Sequence, residues 1–412
     1  MANIIEPLRV GAVVVMAGAF AAACADSAID AVDLSAGRDY TCAVRASGAV
    51  VCWGNNYYGQ LGDGTRMDRW TPVVVSGLTD AVEVSAGSAH TCARRSTGGV
   101  ACWGANYYGQ LGDGTRGHSM CDLGGGTLRD CSLTPVEVSG LTDAVAISVG
   151  GSRTCALRAS GGVVCWGEVI TGTASDARCD FGLCSLTPIP VWGLADAVEM
   201  SLGDDRWCAA RESGAVVCWG GNDHGELGDG TAHSIGAVVA VSGLTDAVEV
   251  SLGNWHTCAR RAPGAVVCWG ANYDGQLGDG ASTHSTCWPG IDCSLVPVAV
   301  SGLTDAVEVS ASQQHTCARR ASGAVVCWGY GGELGDGSIS HSTCPFGDGD
   351  CSLTPVAVSG LTDAVEVSGG DVHTCARRAS GAVVCWGRNM RGQLGDGTIA
   401  DRATPVTVAP PP

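Results

Sequence analysis

Hydrophobic and polar positions alternate over short runs in this chain, and one stretch shows the pattern well. Residues 81–85 form a short β-branched run, and residues 90–95 and 99–103 form two more, separated by small polar and glycine-containing turns. After a glycine-rich stretch, residues 135–138 form a fourth run. Runs of this length, rich in β-branched residues and bounded by turn residues, are typical of strands. The stretch therefore predicts four short strands joined by turns.

The same plan recurs along most of the chain. A segment Asp-Ala-Val begins seven units, at Asp30, Asp80, Asp143, Asp196, Asp246, Asp305 and Asp363. Successive starts are 50 to 63 residues apart, and all variation in length follows a shared Cys-Trp-Gly. A period of about 50 residues with four strands per unit predicts a propeller. We therefore expect an all-β, seven-bladed β-propeller over residues 30–408, with 409–412 as a tail. Closure of the ring by a strand shared between the chain ends is compatible with the sequence, which does not decide how the ring closes.

The cysteines fall into two sets of pairs with one left over. Each unit has two cysteines ten residues apart, which face each other if a hairpin turns midway between them, within reach of a disulfide. These pairs are Cys42 with Cys52, Cys92 with Cys102, Cys155 with Cys165, Cys208 with Cys218, Cys258 with Cys268, Cys317 with Cys327 and Cys375 with Cys385. Four inserted loops carry their own pairs, which are Cys121 with Cys131, Cys179 with Cys184, Cys287 with Cys293 and Cys344 with Cys351. Disulfides predict an oxidising compartment.

Structural zinc is the alternative to the disulfides within the units. A histidine lies two residues before the first cysteine in four of them, at His90, His256, His315 and His373. Nine residues between two cysteines do not suit the usual spacing of zinc ligands, which is two to four. We therefore expect no metal.

The first residues resemble a targeting signal. Val10–Ala23 is a run of 14 small and apolar side chains, too short to span a bilayer, and it ends directly before Cys24. We expect residues 1–23 to be a signal peptide and residues 24–29 a tether, with Cys24 as the lipid attachment site. Simple cleavage without a lipid is the alternative. Both cases predict an exported protein, in the cell envelope or outside the cell, that meets the membrane only through a lipid anchor.

A glycine-rich motif follows Cys-Trp-Gly in most units. Residues 53–65 read Trp-Gly-Asn-Asn-Tyr-Tyr-Gly-Gln-Leu-Gly-Asp-Gly-Thr, and units two, four, five and seven carry close copies. Unit six has a shorter copy, and unit three, between Trp166 and Cys184, has none. The motif resembles the signature of the regulator of chromosome condensation (RCC1) repeat, over roughly residues 30–408. The resemblance implies a propeller, here of the bacterial secreted or lipoprotein branch.

Members of that family differ in function. They include a nucleotide exchange factor for a small GTPase, partners of ubiquitin ligases and secreted bacterial inhibitors of β-lactamases. Because binding and catalytic sites are added to folds rather than implied by them, the resemblance indicates the fold more strongly than the function.

Composition and charge narrow the function classes. The net charge is −18, and all 23 basic residues are arginine. An acidic protein disfavours phosphate backbones, so we expect no nucleic-acid partner. The lack of lysine excludes a lysine Schiff base and a P-loop lysine, and no Gly-x-Ser-x-Gly nucleophile motif occurs. Oxidised cysteines are poor nucleophiles. We therefore expect a protein that is not an enzyme and needs no cofactor.

Three other repeated features are expected to be structural. The Cys-Trp-Gly tryptophans should pack between blades, and the Gly-Asp-Gly aspartates should hold turns. An acid also precedes an arginine by eleven residues in four units: Glu83 and Arg94, Glu249 and Arg260, Glu308 and Arg319, and Glu366 and Arg377. We expect these to be diagonal neighbours on adjacent strands, forming a ring of ion pairs.

The units differ mainly after the Gly-Asp-Gly of the motif. Units two, five and six carry insertions there and unit three a replacement, so all four loops are expected on one face. Their apolar residues are the candidates for partner binding: Met120, Leu123, Phe181, Leu183, Trp288, Ile291 and Phe346. An apolar cluster on one rim is typical of a protein-binding hot spot. The alternative is that these side chains only fill the cores of their own loops.

These observations predict a monomeric propeller scaffold that binds a protein partner of unknown identity through the inserted loops. Two alternatives stay open. One is an inhibitor of a secreted or periplasmic enzyme, as in the β-lactamase-inhibitor branch, and the other is a propeller that binds or cleaves glycans. Nucleotide exchange on a GTPase ranks last, because export and acidity both oppose it.

Overall fold

Seven antiparallel sheets form a closed ring in the computed structural model of this protein, as the repeats predict. The structure describes residues 29–122, 128–168, 177–179, 182–287, 290–338, 340–344 and 349–411. Each blade contains consecutive strands, and its first strand packs beside the first strands of its neighbours, around the central axis. In four blades a short extra strand lies outside the last one.

Blades one, four and seven have four strands each. They are β1–β4 (Ala31–Ala36, Tyr40–Arg45, Val50–Gly54 and Arg69–Val74), β15–β18 (Ala197–Leu202, Arg206–Arg211, Val216–Gly220 and Ile235–Ala240) and β29–β32 (Ala364–Gly369, His373–Arg378, Val383–Gly387 and Arg402–Thr407).

Blades two, three, five and six have five strands each. They are β5–β9 (Ala81–Ala86, His90–Arg95, Val100–Ala105, Ser119–Asp122 and Leu128–Glu137), β10–β14 (Ala144–Val149, Arg153–Arg158, Val163–Glu168, Ala177–Cys179 and Gly182–Pro190), β19–β23 (Ala247–Leu252, His256–Arg261, Val266–Ala271, Ser285–Thr286 and Asp292–Ala299) and β24–β28 (Ala306–Ala311, His315–Arg320, Val325–Tyr330, Ser342–Thr343 and Asp350–Ala357). A 3₁₀ turn, Gly331–Glu333, follows β26.

The ring closes between two complete blades, and no strand of the described residues is shared between the chain ends. Strands β1–β4 all come from the first unit and β29–β32 all from the last. Leu34 N donates to the Glu366 carboxylate at 3.1 Å, and Gly397 N donates to Trp70 O at 2.9 Å. Equivalent contacts join other neighbouring blades. The closing interface is therefore one more copy of a repeated contact, because each unit supplies all strands of its own sheet.

Disulfides join the second and third strands of every blade. Cys42 and Cys52 are directly opposed in the β2–β3 ladder with their Cα atoms 4.1 Å apart, and the other six pairs have the same separation to within 0.1 Å. The four loop pairs are also bonded. The predicted disulfide bonds are therefore present, and their sulfurs are not available as zinc ligands.

At six of the seven seams between blades, one carbonyl oxygen of the described residues accepts a tryptophan N–H from the neighbouring blade. Gln60 O accepts the Trp103 indole N–H at 2.8 Å and the Thr91 hydroxyl at 2.8 Å, both from the next blade. Further tryptophans donate to the equivalent carbonyl of a neighbouring blade: Trp53 to Gln393, Trp166 to Gln110, Trp269 to Glu226, Trp328 to Gln276 and Trp386 to Glu333. These six tryptophans are buried between blades, as expected.

Buried histidines belong to the same seams. His90 Nε2 lies 2.8 Å from Thr154 Oγ1 of the next blade. The other three equivalent histidines make the same contact: His256 with Thr316, His315 with Thr374 and His373 with Thr41. Burial lowers the pKa of all four to about 3. They are neutral hydrogen-bonding groups at physiological pH.

The four predicted ion pairs are formed, but across the ladder rather than diagonally. Glu83 directly faces Arg94 with 2.6 Å between Oε2 and Nε, because a bulge between Ala81 and Glu83 shifts the register by one residue. The other oxygen of Glu83 accepts the N–H of Ile147 from the next blade at 3.0 Å. Burial raises the pKa of Glu83. The carboxylate therefore joins two strands and two blades at once.

A circle of serines joins the first strands around the axis. Each serine Oγ accepts a backbone N–H from the next blade at 2.9 to 3.2 Å. The serines are Ser35, Ser85, Ser148, Ser201, Ser251, Ser310 and Ser368. The circle is complete, so it joins blade seven to blade one in the same way as any other pair.

The hydrogen bond at the seam carbonyl is expected to contribute about 1 kcal/mol to stability. Trp328→Phe removes the N–H that Gln276 O accepts at 2.9 Å. Trp219 packs against Trp207 and donates to no such carbonyl within the described residues. Trp219→Phe therefore removes a similar side-chain volume without removing this hydrogen bond. We expect Trp328→Phe to lower the free energy of unfolding by about 1 kcal/mol more than Trp219→Phe, in denaturant titrations without reductant. Equal losses would contradict the role of the carbonyl.

Candidate binding face

The connections between the third and fourth strands of the blades all lie on one face of the ring. Neighbouring strands of a blade run antiparallel, so the turn after the first strand and the connection after the third lie at the same end. Asn55 N donates to Asp39 O at 2.9 Å, which joins the two directly in blade one. We call the surface formed by these turns and connections the loop face.

The repeated glycine-rich motif fills the seams of this face. Leu61 is fully buried, and its N–H donates to the Asn56 side chain at 3.0 Å. Gly62 has a φ of +67°, and a β-carbon there would lie 2.8 Å from Trp103 Nε1 of the next blade. Asp63 accepts the N–H of Thr65 at 2.9 Å, as expected of a turn residue. The motif therefore holds blades together.

The four disulfide-closed insertions form hairpins at the outer edge of the ring. In each of these four blades a short strand pairs with the first residues of the last strand and adds one strand to the outer edge of the sheet. The short strands are β8, β13, β22 and β27, and the last strands are β9, β14, β23 and β28. Because that strand begins on the loop face, the hairpins stand at the perimeter of this face.

A histidine between two carboxylates fixes three of these hairpins, which the sequence reasoning missed. His118 Nε2 lies 2.9 Å from Asp113, and its Nδ1 lies 3.1 Å from Asp130. His284 is held in the same way by Asp279 and Asp292, and His341 by Asp336 and Asp350. The signal was present, because only the inserted units combine a histidine five residues after the Gly-Asp-Gly aspartate with an aspartate directly before the last loop cysteine.

Two of these histidines, His118 and His284, are charged at neutral pH. The hydrogen bond with Asp130 is the largest cause that raises the pKa of His118 to about 9, and Asp279 and Asp292 raise the pKa of His284 to about 9. Burial opposes the same change at His341, but hydrogen bonds with Asp350 and Asp336 still raise its pKa. Each histidine therefore ties the Gly-Asp-Gly turn to the base of its hairpin through contacts with two carboxylates.

The predicted binding residues have different positions. Met120 and Leu183 are exposed on the hairpins of blades two and three, with 56% and 50% of their surface accessible, whereas Ile291 is half-buried. The other candidates, Leu123, Phe181, Trp288 and Phe346, lie outside the described residues, as does the lipid attachment candidate Cys24. The proposed role of all eight stays a prediction.

The structure adds an apolar patch between blades seven and one. Trp70 stands where other blades have Leu133, Leu186, Leu295 and Leu353, against a glycine of the preceding blade, here Gly392. Asp68 and Arg391, which flank this contact, are 3.4 Å apart. Met67, Trp70 and Met390 are 64%, 50% and 74% exposed. We call these three residues the junction patch. Its sequence signal was a tryptophan at a position that is leucine in four other units.

The turns after the first strands meet at the central axis. Six of them place a glycine where neighbouring turns touch: Gly37, Gly87, Gly150, Gly203, Gly253 and Gly370. A β-carbon on Gly37 would lie 2.6 Å from Gly87 O, and one on Gly87 would lie 2.5 Å from Gly150 O. Only glycine allows this approach of backbone to backbone. We call this ring the axial throat.

Charged groups stand at the mouth of the axial throat. Arg38 lies 3.4 Å from Asp371, and Ser88 donates to Asp204 at 3.1 Å. Burial, and secondarily the charge of Asp204, raises the pKa of Asp371 to about 7. In the part of the chain that the structure describes, no three His, Cys, Asp or Glu side chains are arranged to hold a metal ion. Over the same residues, no helix has the length and apolar character needed to cross a bilayer.

The fold and the repeated seam loop define a seven-bladed propeller built from glycine-rich repeats. The pattern of the regulator of chromosome condensation (RCC1) repeat matches residues 47–94, 97–157, 263–319 and 380–412, and a second pattern of the same description matches 31–60, 81–110, 247–276, 306–333 and 364–393. Together they cover more than half of the chain, which belongs to the RCC1 repeat family.

Curated relatives share only part of this chain. It is 27% identical over 214 residues to the human E3 ubiquitin-protein ligase HERC2, covering 50% of this chain and 4% of that protein. It is 35% identical over 105 residues to the ultraviolet-B receptor UVR8 of Arabidopsis thaliana, covering 25% of this chain and 22% of the receptor. The chain thus spans a small part of the length of these relatives.

Solved structures share the fold over most of the chain. Prp20p of Saccharomyces cerevisiae, studied for its binding to Gsp1p and histones, has a TM-score of 0.70 at 19% identity, over 93% of this chain and 87% of that one. Human WBSCR16 has a TM-score of 0.72 at 21% identity, over 88% and 94%. At these identities the likeness shows the fold alone.

The histidine clamps predict that the hairpins loosen in alkali. In the unfolded chain a histidine has a pKa of about 6.5, so His118 and His284, with a pKa of about 9, stabilise the folded state fully below about pH 6.5 and lose this contribution as pH rises through 9. We expect stability to fall over this range by on the order of 1 kcal/mol per histidine after solvent screening. Thermal unfolding from pH 6 to 10 measures it.

His284→Gln should flatten this pH dependence. His233→Gln is the matched control, because His233 is an exposed histidine in the corresponding loop of blade four. If both variants kept the slope of the parent protein, the clamps would not be the source of the pH dependence.

Proposed function

We propose that this protein is an exported, non-enzymatic scaffold that binds a protein partner through its loop face. The observation that carries the proposal is the set of exposed apolar side chains there. Of the sixteen large ones exposed among the described residues, eight lie in or beside the connections that follow the third strands: Tyr57, Met67, Trp70, Met120, Leu128, Leu183, Met390 and Ile399. Apolar groups gathered on one face of a water-soluble surface are typical of an interaction site.

The face supports binding because much of it is held rigid. Disulfides close the hairpins, and the clamps at His118, His284 and His341 hold their bases. A surface that is already ordered loses less conformational entropy when a partner binds. An aromatic strip adds contact area, since the rings of Tyr57, Tyr58, Tyr107 and Tyr108 follow one another with centroids 5.1 to 6.3 Å apart.

Structural relatives support a protein as the ligand class. Prp20p has been studied for binding to Gsp1p and histones, and yeast RCC1 (Prp20) has been crystallised with Kap60 bound. These partners are proteins, although their names do not transfer at 19% identity. Inhibition of an exported enzyme is the narrower form of the same proposal. It would use the same face.

Export is the second part of the proposal. Eleven disulfides need an oxidising compartment to form and persist. A signal peptide over residues 1–23 would deliver the chain there, and a lipid on Cys24 would hold it at the membrane. The net charge of −18 supports a partner other than nucleic acid.

The junction patch provides the first test. Trp70→Ser combined with Met390→Ser should weaken partner capture at least about tenfold, because each such side chain contributes about 1.5–3 kcal/mol when buried. Cross-linking to exported proteins of the native host, followed by quantification of one captured protein across variants, measures this. Met120→Ser with Leu183→Ser tests the hairpins in the same assay.

Trp192→Ser is the matched control, since Trp192 is 77% exposed and follows the fourth strand of blade three, on the opposite face. Capture should be unchanged in this variant. Capture that survives both pairs of loop-face substitutions, or is lost equally in the control, would refute binding through the loop face.

Acylation of Cys24 provides the second test. The mature protein should begin at Cys24 and carry a lipid, seen as added mass on the N-terminal peptide. Cys24→Ser should move the protein from the membrane fraction to the soluble exported fraction. A mature N-terminus beyond Cys24 would instead establish simple cleavage.

A further inference from the structure

The seam between blades three and four differs from the other six. At those six seams, the glycine-rich motif supplies a fully buried leucine to the apolar cluster between the blades. These leucines are Leu61, Leu111, Leu227, Leu277, Leu334 and Leu394. The residue before this leucine supplies the carbonyl that accepts the indole N–H. Unit three has no such motif, and the apolar cluster between blades three and four contains no leucine of this kind.

The next blade carries side chains altered to match. Trp207 replaces the threonine that elsewhere donates to the seam carbonyl, and it packs against Trp219, the one Cys-Trp-Gly tryptophan without this acceptor among the described residues. Trp207 Nε1 is buried and has no hydrogen-bond partner. Arg206 replaces the seam histidine, but its guanidinium points the other way and donates to Gly253 O and His256 O of blade five at 2.8 and 2.9 Å. Trp207 Nε1 is therefore the donor that lacks an acceptor at the seam between blades three and four.

A cleft lies at the same place. It lies between blades three and four, with apolar walls that include Trp166, Ile189, Leu202 and Trp207. Arg153 and Arg206 also line it. Its presence also explains why Cys165 is partly exposed, whereas the corresponding cysteines of the other blades are buried.

We propose that this cleft binds a peptide segment of a partner that presents an aliphatic side chain next to backbone carbonyl groups. The six other seams contain the same groups from the chain itself, since each holds a leucine beside a carbonyl that accepts an indole N–H. The unpaired donor Trp207 Nε1 requires an acceptor, which a peptide carbonyl supplies. The cleft is separate from the junction patch, so the inference goes beyond the proposed function and does not depend on it.

The test uses the full exported protein and two labelled peptides. The first is Tyr-Gly-Gln-Leu-Gly-Asp-Gly-Thr, the sequence of residues 108–115 in the loop of blade two, and the second has aspartate in place of leucine. Fluorescence anisotropy should show saturable binding of the first at one site. The second should bind about tenfold more weakly, because a charged group replaces the buried leucine.

Two variants locate the site. Ile189→Arg places a long charged side chain on the wall of the cleft and should abolish binding. Trp207→Phe keeps an aromatic ring but removes the N–H donor, and should weaken binding about fivefold. Trp192→Ala is the control on the opposite face and should leave binding unchanged. If Ile189→Arg fails to fold in thermal melts, Trp207→Phe and the peptide pair still decide the question.

Three results would overturn the inference. They are no saturable binding to the parent protein, equal binding of the two peptides, and full binding to the Ile189 and Trp207 variants. Binding that appears only after residues 169–176 are replaced by a short glycine-serine linker would also overturn it, because the chain would then fill its own cleft. Loss of partner capture in the junction-patch variants with peptide binding intact would separate this site from the loop face.

Discussion

The stability of the ring rests on one carbonyl oxygen at each of six seams. Gln60 O and its counterparts each accept an indole N–H from the following blade, and all but one of the described seams of this kind add a threonine hydroxyl. Neither the carbonyl nor the indole N–H finds this hydrogen-bond partner within its own blade, and burying either of them unpaired would cost free energy. A blade therefore completes its hydrogen bonding only when its neighbour is in place. This makes the ring cooperative, and closure satisfies the last blade in the same way as the first.

Local features of the sequence predicted most of this architecture. Four strand-like runs per unit and cysteines ten residues apart are short-range patterns, and they led to the blades and their disulfides. The means of closure could not be predicted because its contacts, such as Leu34 with Glu366, link residues 332 positions apart and leave no local pattern. The diagonal geometry of Glu83 and Arg94 was wrong for another reason. A one-residue bulge changes which side chains face each other, and Ala-Val-Glu gives no sign of it.

The candidate site was harder to predict because repetition hides the residues that differ. The inserted loops stood out by length, whereas Trp70 and Met390 lie in a unit of ordinary length and became visible only as exposed neighbours across a seam. The histidine clamps were missed because their two aspartates are separated by a whole hairpin. In both cases the side chains that differ between units are the ones relevant to partner binding, whereas the side chains shared by the units stabilise the scaffold. The cleft beside Trp207 follows the same rule, since it arises where one unit lost its motif.

The axial throat limits the number of blades. Its glycines touch the carbonyl of the adjacent turn, so the circumference of the ring is fixed by backbone contact rather than by adaptable side chains. A chain that gained or lost one repeat by gene duplication or deletion would have to open or compress this circle. The serine and carboxylate bridges between first strands would then no longer reach. Individual loops are free to lengthen at the perimeter, but the copy number of the repeat is held at seven by the atoms nearest the axis.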